Sequence, residues 1–148
     1  MAAFRLANIY DLKTVEKIVD EAYSVYVDRI GKPPAPMLED YENLIQRHLV
    51  HVIEDENEIQ GIIVLIPKDN YMLLENVAVK PSSQSRGYGG RLLSYAYEVA
   101  KKMGYKEIHL YTHEKMVENQ EMYRHLGWKE YKRQTDKGYN RVYMLKKL

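Results

Sequence analysis

The chain has 148 residues, of which 45% are hydrophobic and 29% are charged, and its formal net charge is +1. These proportions are typical of one folded domain, and so small a charge gives no overall field to attract nucleic acid or a membrane. Cysteine is absent, which excludes disulfides, thiolate metal sites and cysteine nucleophiles. The sequence contains no apolar run long enough for a membrane helix, and its start does not resemble a secretion signal. We therefore expect a single cytoplasmic domain over residues 1–148.

The first part of the chain shows strand, helix and loop patterns in turn. Loose alternation over residues 3–9 predicts a strand, and Asp11 is placed to cap the helix that follows. The apolar positions of that helix lie three or four residues apart, at Leu12, Val15, Val19, Ala22 and Tyr26. Three prolines in residues 31–37 predict a stiff loop, and an apolar stripe predicts a second helix over residues 38–49.

The second part supplies most of the predicted sheet. Residues 50–54 and 59–67 predict a hairpin, and residues 71–79 predict a further strand. The remaining elements are a helix over 88–103, a strand over 106–112, a short helix over 117–127, and a closing hairpin of 128–134 with 139–148.

This order of elements predicts an α/β (α+β) fold, with a mixed and mostly antiparallel sheet of about seven strands flanked by about four helices. The strand that ends at Val79, the helix over 88–103 and the strand over 106–112 form a βαβ unit. The two strands of such a unit run parallel, and ligands bind at their carboxyl ends, where the helix begins.

The segment SQSRGYGG, residues 83–90, connects the first strand of this unit to its helix. Glycines at a helix N-terminus leave backbone N–H groups open to an anion, and the helix dipole adds positive potential. The segment lacks the Gly-Lys-Ser/Thr of a P-loop and the third spaced glycine of a dinucleotide fingerprint. Two interpretations stay open at this point: a phosphate cradle for another ligand, or a tight turn that needs glycine only for positive φ.

A Q-x-x-G-x-G pattern begins at Gln84, directly after the V-x-V strand end at residues 77–79. This pattern resembles the acetyl-CoA pyrophosphate loop of the GNAT superfamily of N-acetyltransferases. Two further segments resemble that superfamily in the same order, the first strand with its helix start (FRLAN) and the later motif NQEMYRHLGWKE. The resemblance extends over essentially the whole chain.

The resemblance implies acetyl-CoA as the cosubstrate and no metal. The implied cofactor-binding residues are Val77, Ala78, Val79, Gln84, Ser85, Arg86, Gly87, Tyr88, Gly89, Gly90 and Asn119. The N–H groups of residues 85–90 would hold the pyrophosphate, and Asn119 would bond the pantetheine arm. Asn119 stands four residues before Tyr123, whereas the commoner family spacing is seven, so a helix-capping role for Asn119 also stays open.

The absence of cysteine excludes a covalent acetyl-thiol intermediate on the protein. An amine must then attack the thioester directly, within a ternary complex, where alignment of the two reactants is the main catalytic device. The implied acceptor is a primary amine, on a small molecule or on a peptide or protein. A non-catalytic acyl-CoA-binding module of the same fold is the alternative function.

Tyr123 lies four residues before Gly127, where members of the superfamily place a tyrosine as general acid. A tyrosine of ordinary pKa, about 10, is a weaker acid than a thiol of pKa about 8.5, so full proton transfer is uphill by about 2 kcal/mol. Tyr123 is therefore expected to donate a hydrogen bond to the developing thiolate as much as a proton. The alternative is a core tyrosine that shares a helix face with Leu126.

Glu75 is the one carboxylate in the strand over residues 71–79. Its position resembles that of a water-linked base in several members of the superfamily. Regular alternation places Glu75 on the face of Val77 and Val79, whereas a β-bulge would reverse the phase. The alternative interpretation is an exposed strand carboxylate.

The acceptor side is predicted only in outline. Resemblance to the variable acceptor wall of the superfamily gives the candidate lining residues Arg29, Met37, Asp40 and Tyr41, to which His113 at a strand end is added. The histidines form no recognisable metal pattern, and the dispersed Lys and Arg residues argue against a nucleic acid partner. A homodimer is an assembly that such a chain could form.

Overall fold

The computed structural model of the protein describes residues 2–148. Seven strands form one sheet: β1 (Ala3–Leu6), β2 (Val50–Asp55), β3 (Glu58–Pro67), β4 (Met72–Val79), β5 (Glu107–His113), β6 (Lys129–Asp136) and β7 (Tyr139–Lys147). The helices in this part of the chain are α1 (Leu12–Tyr23), α2 (Val27–Ile30), α3 (Tyr41–Gln46), α4 (Tyr88–Lys102) and α5 (Val117–His125). Of these, α2 is a single turn.

The strands follow the order β1-β2-β3-β4-β5-β7-β6 across the sheet. Strands β4 and β5 run parallel, and the other neighbouring strands are antiparallel. The connection between β4 and β5 is made by α4, as a βαβ unit requires. The predicted fold, a mixed and mostly antiparallel sheet flanked by helices, is confirmed.

The helices divide between the two faces of the sheet. One face of the first four strands packs against α1 and α3, with Val15, Val19 and Leu44 in its core. The opposite face packs against α4 and α5, with Leu92 and Tyr123 in a second core. This division follows from the apolar stripe of each helix, whose residues three or four apart lie on one side. The edge strand β6 is exposed along nearly its whole length.

The first helix is shorter than predicted, and its start is built differently. It ends at Tyr23, and a 3₁₀ turn over Ser24–Tyr26 follows. The predicted capping role of Asp11 is wrong, because its carboxylate accepts the N–H of Asn8 at 2.8 Å and pairs with Arg5 at 2.8 Å. The chain first makes a 3₁₀ turn, which the side chain of Asn8 caps.

The predicted helix over residues 38–49 is also shortened, to a 3₁₀ turn at Ala35–Leu38 followed by α3. We call residues 32–38 the proline strap. Two hydrogen bonds tie the strap to the β6–β7 hairpin. The Tyr139 hydroxyl donates to the carbonyl of Pro33 at 2.6 Å, and Lys32 Nζ donates to the carbonyl of Gly138 at 2.7 Å. The start of the strap is therefore tied to the β6–β7 hairpin.

Candidate active site

The parallel strands β4 and β5 separate toward their carboxyl ends. They pair only over residues 72–74 and 108–110. Beyond these residues β4 continues alongside β3, and β5 continues alongside β7. The separation opens a cleft between two strand ends, a place where ligands bind in α/β proteins.

A β-bulge at Glu75 sets the direction of the side chains in this cleft. Asn76 pairs with Val64 of β3, and Leu74 pairs with Leu65, which leaves Glu75 as an extra residue. An extra residue changes the phase of a strand, so the side chains after it exchange faces relative to regular alternation. Bulges recur beside active sites because they re-aim a side chain.

The bulge separates Glu75 from the valines that follow it. Val77 and Val79 pack toward the α4 core, whereas the carboxylate of Glu75 accepts a hydrogen bond from the hydroxyl of Tyr111. Tyr111 lies on the opposite face of the sheet, since its neighbour Leu110 belongs to the α4 core. The expectation from regular alternation is therefore wrong for Glu75, and the bulge alternative is correct.

A groove of about 510 Å³ runs from the cleft along the start of α4. Seven of the predicted cofactor-binding residues line this groove: Val77, Ala78, Val79, Gln84, Gly89, Gly90 and Asn119. The rest of the wall consists of Ala22, Tyr23, Tyr26, Leu93, Met122, Tyr123 and Leu126. Of these residues, the sequence indicated only Tyr123. The available signal for Ala22 and Tyr26 was their place at the end of the first apolar stripe.

Glycine keeps the start of α4 accessible from the groove. Gly87 precedes the helix with a φ of +86° and without a side-chain cap, so the first N–H groups of α4 are left for a ligand. A Cβ at Gly89 would meet only Val79 Cγ2, at 3.9 Å, and a Cβ at Gly90 would meet nothing within 4 Å. Gly89 and Gly90 therefore provide open space in the groove and are not needed for tight packing.

The other four residues of the predicted loop do not line the groove: Ser85, Arg86, Gly87 and Tyr88. The guanidinium of Arg86 pairs with Glu56, and the hydroxyl of Tyr88 donates to Asp55 at 2.8 Å. Both acids lie where β2 turns into β3, so these side chains anchor the loop to the sheet. Their expected contribution to a ligand is limited to backbone N–H groups.

A second, much smaller cavity of about 60 Å³ lies on the other side of the cleft. Its wall combines β4 and β5 with the proline strap, β7 and the start of α5, and its charged or titratable side chains include Glu75, Tyr111, His113, Tyr123 and Arg141. Liquid water occupies about 30 Å³ per molecule, so this small cavity holds a group of only a few heavy atoms.

Tyr123 lines both the groove and the small cavity. Its side chain is 5% exposed and lies edge-on against Trp128. Within residues 2–148 the hydroxyl of Tyr123 has no hydrogen-bond partner. No polar side-chain atom in this part of the chain is both fully buried and unpaired. The hydroxyl is therefore accessible from the space that Tyr123 lines. Burial raises the pKa of the Tyr123 hydroxyl. A phenol with a raised pKa stays protonated and serves as a hydrogen-bond donor.

The model described as "Acetyltransferase (GNAT) family" matches residues 12–128. The chain belongs to the GNAT family of acetyltransferases. The predicted class of enzyme, an acetyl-CoA-dependent N-acetyltransferase, is thereby confirmed. A relative of this GNAT chain is the "Uncharacterized N-acetyltransferase YvbK" of Bacillus subtilis (strain 168). It is 26% identical over 115 residues, which are 77% of this chain and 71% of YvbK.

Solved GNAT structures share the fold of this chain. The PaiA N-acetyltransferase of Thermoplasma acidophilum, in complex with coenzyme A, has a TM-score of 0.84 at 23% identity, over 100% of this chain and 99% of that chain. The ribosomal-protein-S18-alanine N-acetyltransferase of Escherichia coli has a TM-score of 0.78 at 19% identity, over 99% and 94%. At these identities the similarity establishes the fold.

Only one of the predicted acceptor residues of this GNAT chain, His113, lines the small cavity. Arg29 instead forms an exposed ion pair with α5 at 2.7 Å, and Met37 packs against the core beneath α1. Asp40 caps α3 through the N–H of Asn43. Tyr41 is 3% exposed and lies behind the cavity wall. Each of these four side chains makes its contacts elsewhere in the fold, and none lines the small cavity.

A buried hydrogen-bond chain gives Tyr41 its role. The hydroxyl of Tyr23 donates to Asn76 Oδ1 at 2.6 Å, and Asn76 Nδ2 donates to the hydroxyl of Tyr41 at 2.8 Å. The Tyr41 hydroxyl donates in turn to the carbonyl of Pro36 in the proline strap. This chain connects α1, the β4 bulge, α3 and the strap, so it holds the two walls of the small cavity in one arrangement.

The structure also shows the surroundings of two further predicted residues, Asn119 and His113. Asn119 lies inside α5, whose first residue follows Met116 without a side-chain cap, so the capping alternative is wrong, and Asn119 lines both spaces. At the end of β5, the N–H of Lys115 donates to Nδ1 of His113 at 3.1 Å. Burial lowers the pKa of His113, so its imidazole is neutral at pH 7.

Among residues 2–148, no cluster of three or more His, Asp or Glu side chains is arranged to hold a metal ion. None of the helices in the described chain combines the length and apolar character that crossing a bilayer requires.

Proposed function

We propose that this chain transfers the acetyl group of acetyl-CoA directly to a primary amine within a ternary complex. The observation that carries the proposal is the position of Tyr123, a hydroxyl-bearing residue that lines both the groove and the small cavity. A thioester bound in the groove and an amine bound in the small cavity would meet beside this hydroxyl. Since the chain has no cysteine to carry the acetyl group, the amine itself attacks the thioester.

The groove is the proposed acetyl-CoA site. The open start of α4 offers N–H groups and a positive dipole to the pyrophosphate, and residues 77–79 and Asn119 line the path toward the cleft. The structure of PaiA in complex with coenzyme A, which shares this fold, supports the assignment. Acetyl-CoA supplies the activated acetyl group, and the protein supplies binding and alignment.

Tyr123 is the proposed hydrogen-bond donor to the leaving sulfur. When the C–S bond breaks, negative charge develops on the sulfur, and a positioned donor stabilises it in a site from which water is excluded. The raised pKa of the buried phenol makes complete proton transfer to the sulfur less favourable than in water. The hydroxyl therefore acts chiefly by hydrogen bonding.

Glu75 is the proposed base. Only about one alkylammonium in 10³ is deprotonated at pH 7, so the reaction needs a proton acceptor near the small cavity. The Tyr111 hydroxyl occupies one carboxylate oxygen of Glu75 and leaves the other to accept the proton, directly or through a water. The bulge is what turns this carboxylate toward the cavity.

The small volume of this cavity, and the proline strap that forms part of its wall, favour a small amine over a peptide. An extended peptide could pair with the separated edges of β4 and β5. The proline strap lines the same cavity, and its hydrogen bonds to Tyr139 and Gly138 would have to break before a peptide entered. A compact primary amine needs no such opening.

Initial-velocity kinetics test the proposal. Free thiol released from acetyl-CoA is measured while acetyl-CoA and each of a panel of small primary amines are both varied, and the protein adds no thiol background because it has no cysteine. We expect intersecting double-reciprocal lines, the pattern of a ternary complex. Parallel lines would contradict direct transfer. Absence of thiol release with every amine, despite binding of acetyl-CoA, would favour the non-catalytic acyl-CoA-binding module.

A further inference from the structure

The direction of the Glu75 side chain is not set by strand pairing. Within the described sheet Glu75, the extra residue of the β4 bulge, has no register partner in β3. The pairing of β4 with β5 ends one residue earlier, at Leu74. In a regular strand, the side chains directly opposite on neighbouring strands hold a residue in place. Glu75 lacks such neighbours, so another contact has to hold its carboxylate.

The hydroxyl of Tyr111 supplies that contact. It donates a hydrogen bond to one oxygen of the Glu75 carboxylate, and both residues line the small cavity. Burial, followed by the hydrogen bond to Glu75, raises the pKa of Tyr111, so the phenol stays protonated and remains a donor. A tyrosine side chain has only two torsions, so a ring that is held in place also fixes its hydroxyl.

The ring of Tyr111 is held by Arg141. In the register of β5 and β7 Tyr111 lies opposite Tyr143, so Arg141, two residues away, is a diagonal neighbour on the same face of the sheet. The guanidinium carbon of Arg141 lies 3.9 Å from the centre of the Tyr111 ring, where a cation is attracted to the ring electrons. Arg141 is only 8% exposed, so little water competes with this contact.

An ion pair fixes Arg141 in turn. Its Nη1 donates to the carboxylate of Asp136, the last residue of β6, at 2.7 Å. We call Asp136, Arg141 and Tyr111 the base support. The base support reaches from β6 through β7 and β5 to Glu75 on β4, so four strands contribute to one arrangement of side chains. Locking a functional side chain through such a supporting layer is how sites hold their geometry.

We propose that Tyr111 is a positioning residue that keeps one carboxylate oxygen of Glu75 directed into the small cavity, and that Arg141 and Asp136 act through Tyr111. This inference rests on the proposed function, in which Glu75 is the base. A base works only within hydrogen-bonding reach of the proton that it accepts. Misplacement by on the order of 1 Å lowers turnover by as much as about a hundredfold.

The alternative role for Tyr111 is packing alone. Its ring also contacts Tyr143, with ring centres 5.8 Å apart. Tyr143 lines neither the groove nor the small cavity, which makes it a matched control. Tyr143→Phe removes a hydroxyl from the same aromatic pair and leaves the hydrogen bond to Glu75 intact. Tyr111→Phe removes that hydrogen bond and keeps a ring beneath Arg141.

A double-mutant cycle separates positioning from packing. The quantity measured is kcat/KM for the small primary amine that the wild type acetylates fastest. We expect Tyr111→Phe to lower it by about tenfold or more in the wild-type background. The same change should lower it less than about twofold in Glu75→Gln, where no base is left to position. Tyr143→Phe should behave as wild type in both backgrounds, and the Kd of acetyl-CoA should stay the same throughout.

Asp136 tests the far end of the base support without altering the small cavity, which it does not line. Asp136→Asn weakens the pairing with Arg141 and should lower kcat/KM several-fold, again only while Glu75 is present. Glu130→Gln is the control, because Glu130 of the same strand pairs with Arg124 and Arg133 instead. Equal effects of Asp136→Asn and Glu130→Gln would overturn the part assigned to Arg141 and Asp136.

The possible outcomes separate this inference from the proposed function. Equal losses from Tyr111→Phe in the two backgrounds, or no loss in either, would overturn the positioning role and leave the proposed function standing. A Glu75→Gln variant as active as wild type would overturn the proposed base, and the inference with it. A wild type that acetylates no amine would overturn the proposed function itself.

Crystal structures of wild type and Tyr111→Phe check the contact without any substrate. We expect the Glu75 carboxylate of the wild type to occupy one conformation, directed into the small cavity. In Tyr111→Phe the carboxylate should occupy more than one conformation, because its hydrogen-bond donor is gone. A single conformation of Glu75, unchanged in Tyr111→Phe, would contradict the inference.

Discussion

The groove and the small cavity meet at Tyr123 but are built in different ways. Much of the groove wall comes from one stretch of chain, residues 77–93, in which strand end, glycine loop and helix follow one another. The wall of the small cavity comes from separate parts, namely the proline strap, β4, β5 and β7. The groove offers open backbone at a helix start, and the cavity offers side-chain charge. Donor binding should therefore tolerate most side-chain changes, whereas acceptor choice should depend on a few residues.

Tyr123, where the two spaces meet, should show the largest effect. Tyr123→Phe removes the hydroxyl and keeps the ring against Trp128. We expect kcat to fall by about ten- to a thousand-fold, since one donor to the developing charge is lost, while KM for acetyl-CoA changes little. Steady-state kinetics measure both values, with Tyr10→Phe, at a residue 93% exposed, as the control. Near-normal turnover would remove Tyr123 from the mechanism.

Glu75 tests the cavity alone. Glu75→Gln should lower kcat/KM for the amine by about a hundredfold, because a positioned base contributes on that order, and should leave the Kd of acetyl-CoA unchanged. The shape of the pH profile of kcat/KM should differ from that of wild type. Glu121→Gln, on the exposed side of α5, should behave as wild type. An identical pH profile in wild type and Glu75→Gln would show that another group is the base.

A substitution at Gly90 tests acetyl-CoA binding in the groove without changing the small cavity. Gly90→Val places a side chain in space that is empty within 4 Å, beside the N–H groups at the start of α4. We expect acetyl-CoA to bind about tenfold more weakly, a loss of about 1.4 kcal/mol, with Tm of the free protein little changed. Calorimetric titration measures the Kd. Ser94→Val, one turn further along α4 and outside the groove, is the control, and an unaltered Kd in Gly90→Val would contradict the assignment of the groove.

His51 lies in neither space and should affect stability only. Burial lowers the pKa of His51 to about 4, whereas an unfolded histidine has a pKa of about 6.5. The unfolded state therefore binds the proton more tightly, and the free energy of unfolding decreases as pH falls from about 6.5 toward 4. His51→Gln should reduce this acid-induced loss by on the order of 2 kcal/mol.

Denaturant unfolding at neutral and at acidic pH measures the effect of His51. If wild type and His51→Gln lose the same unfolding free energy between the two pH values, His51 is not the group responsible. Turnover at neutral pH should be the same in both proteins, because His51 contacts Tyr95 of α4 and lines neither the groove nor the small cavity.

The difference in construction also explains which residues could be predicted from the sequence. The groove residues Val77 to Gly90 are close together in the chain, so their spacing already carries the pattern of strand end, loop and helix start. The fold could be predicted from the order of elements, because each element also shows its pattern in residues that are close together in the chain. The exact start of α1 could not be predicted, because it is fixed by side-chain contacts of Asn8 and by the ion pair between Arg5 and Asp11.

The small cavity could not be predicted, because its geometry depends on long-range contacts. The direction of Glu75 depends on a bulge against β3, and either phase was compatible with the sequence. Tyr41 carries no local sign that its hydroxyl is bonded to Asn76 and Pro36 behind the wall.

Thermal stabilisation by acetyl-CoA tests the assignment of the groove most directly, with wild type and Gly90→Val compared and with ATP and NADH as controls. At one hundred times Kd, a ligand adds about 2.7 kcal/mol of stability. We predict that acetyl-CoA alone raises the Tm of wild type, and that the same concentration raises the Tm of Gly90→Val less. No shift in wild type, or an equal shift with ATP, would contradict acetyl-CoA binding in the groove and the catalytic roles that depend on it.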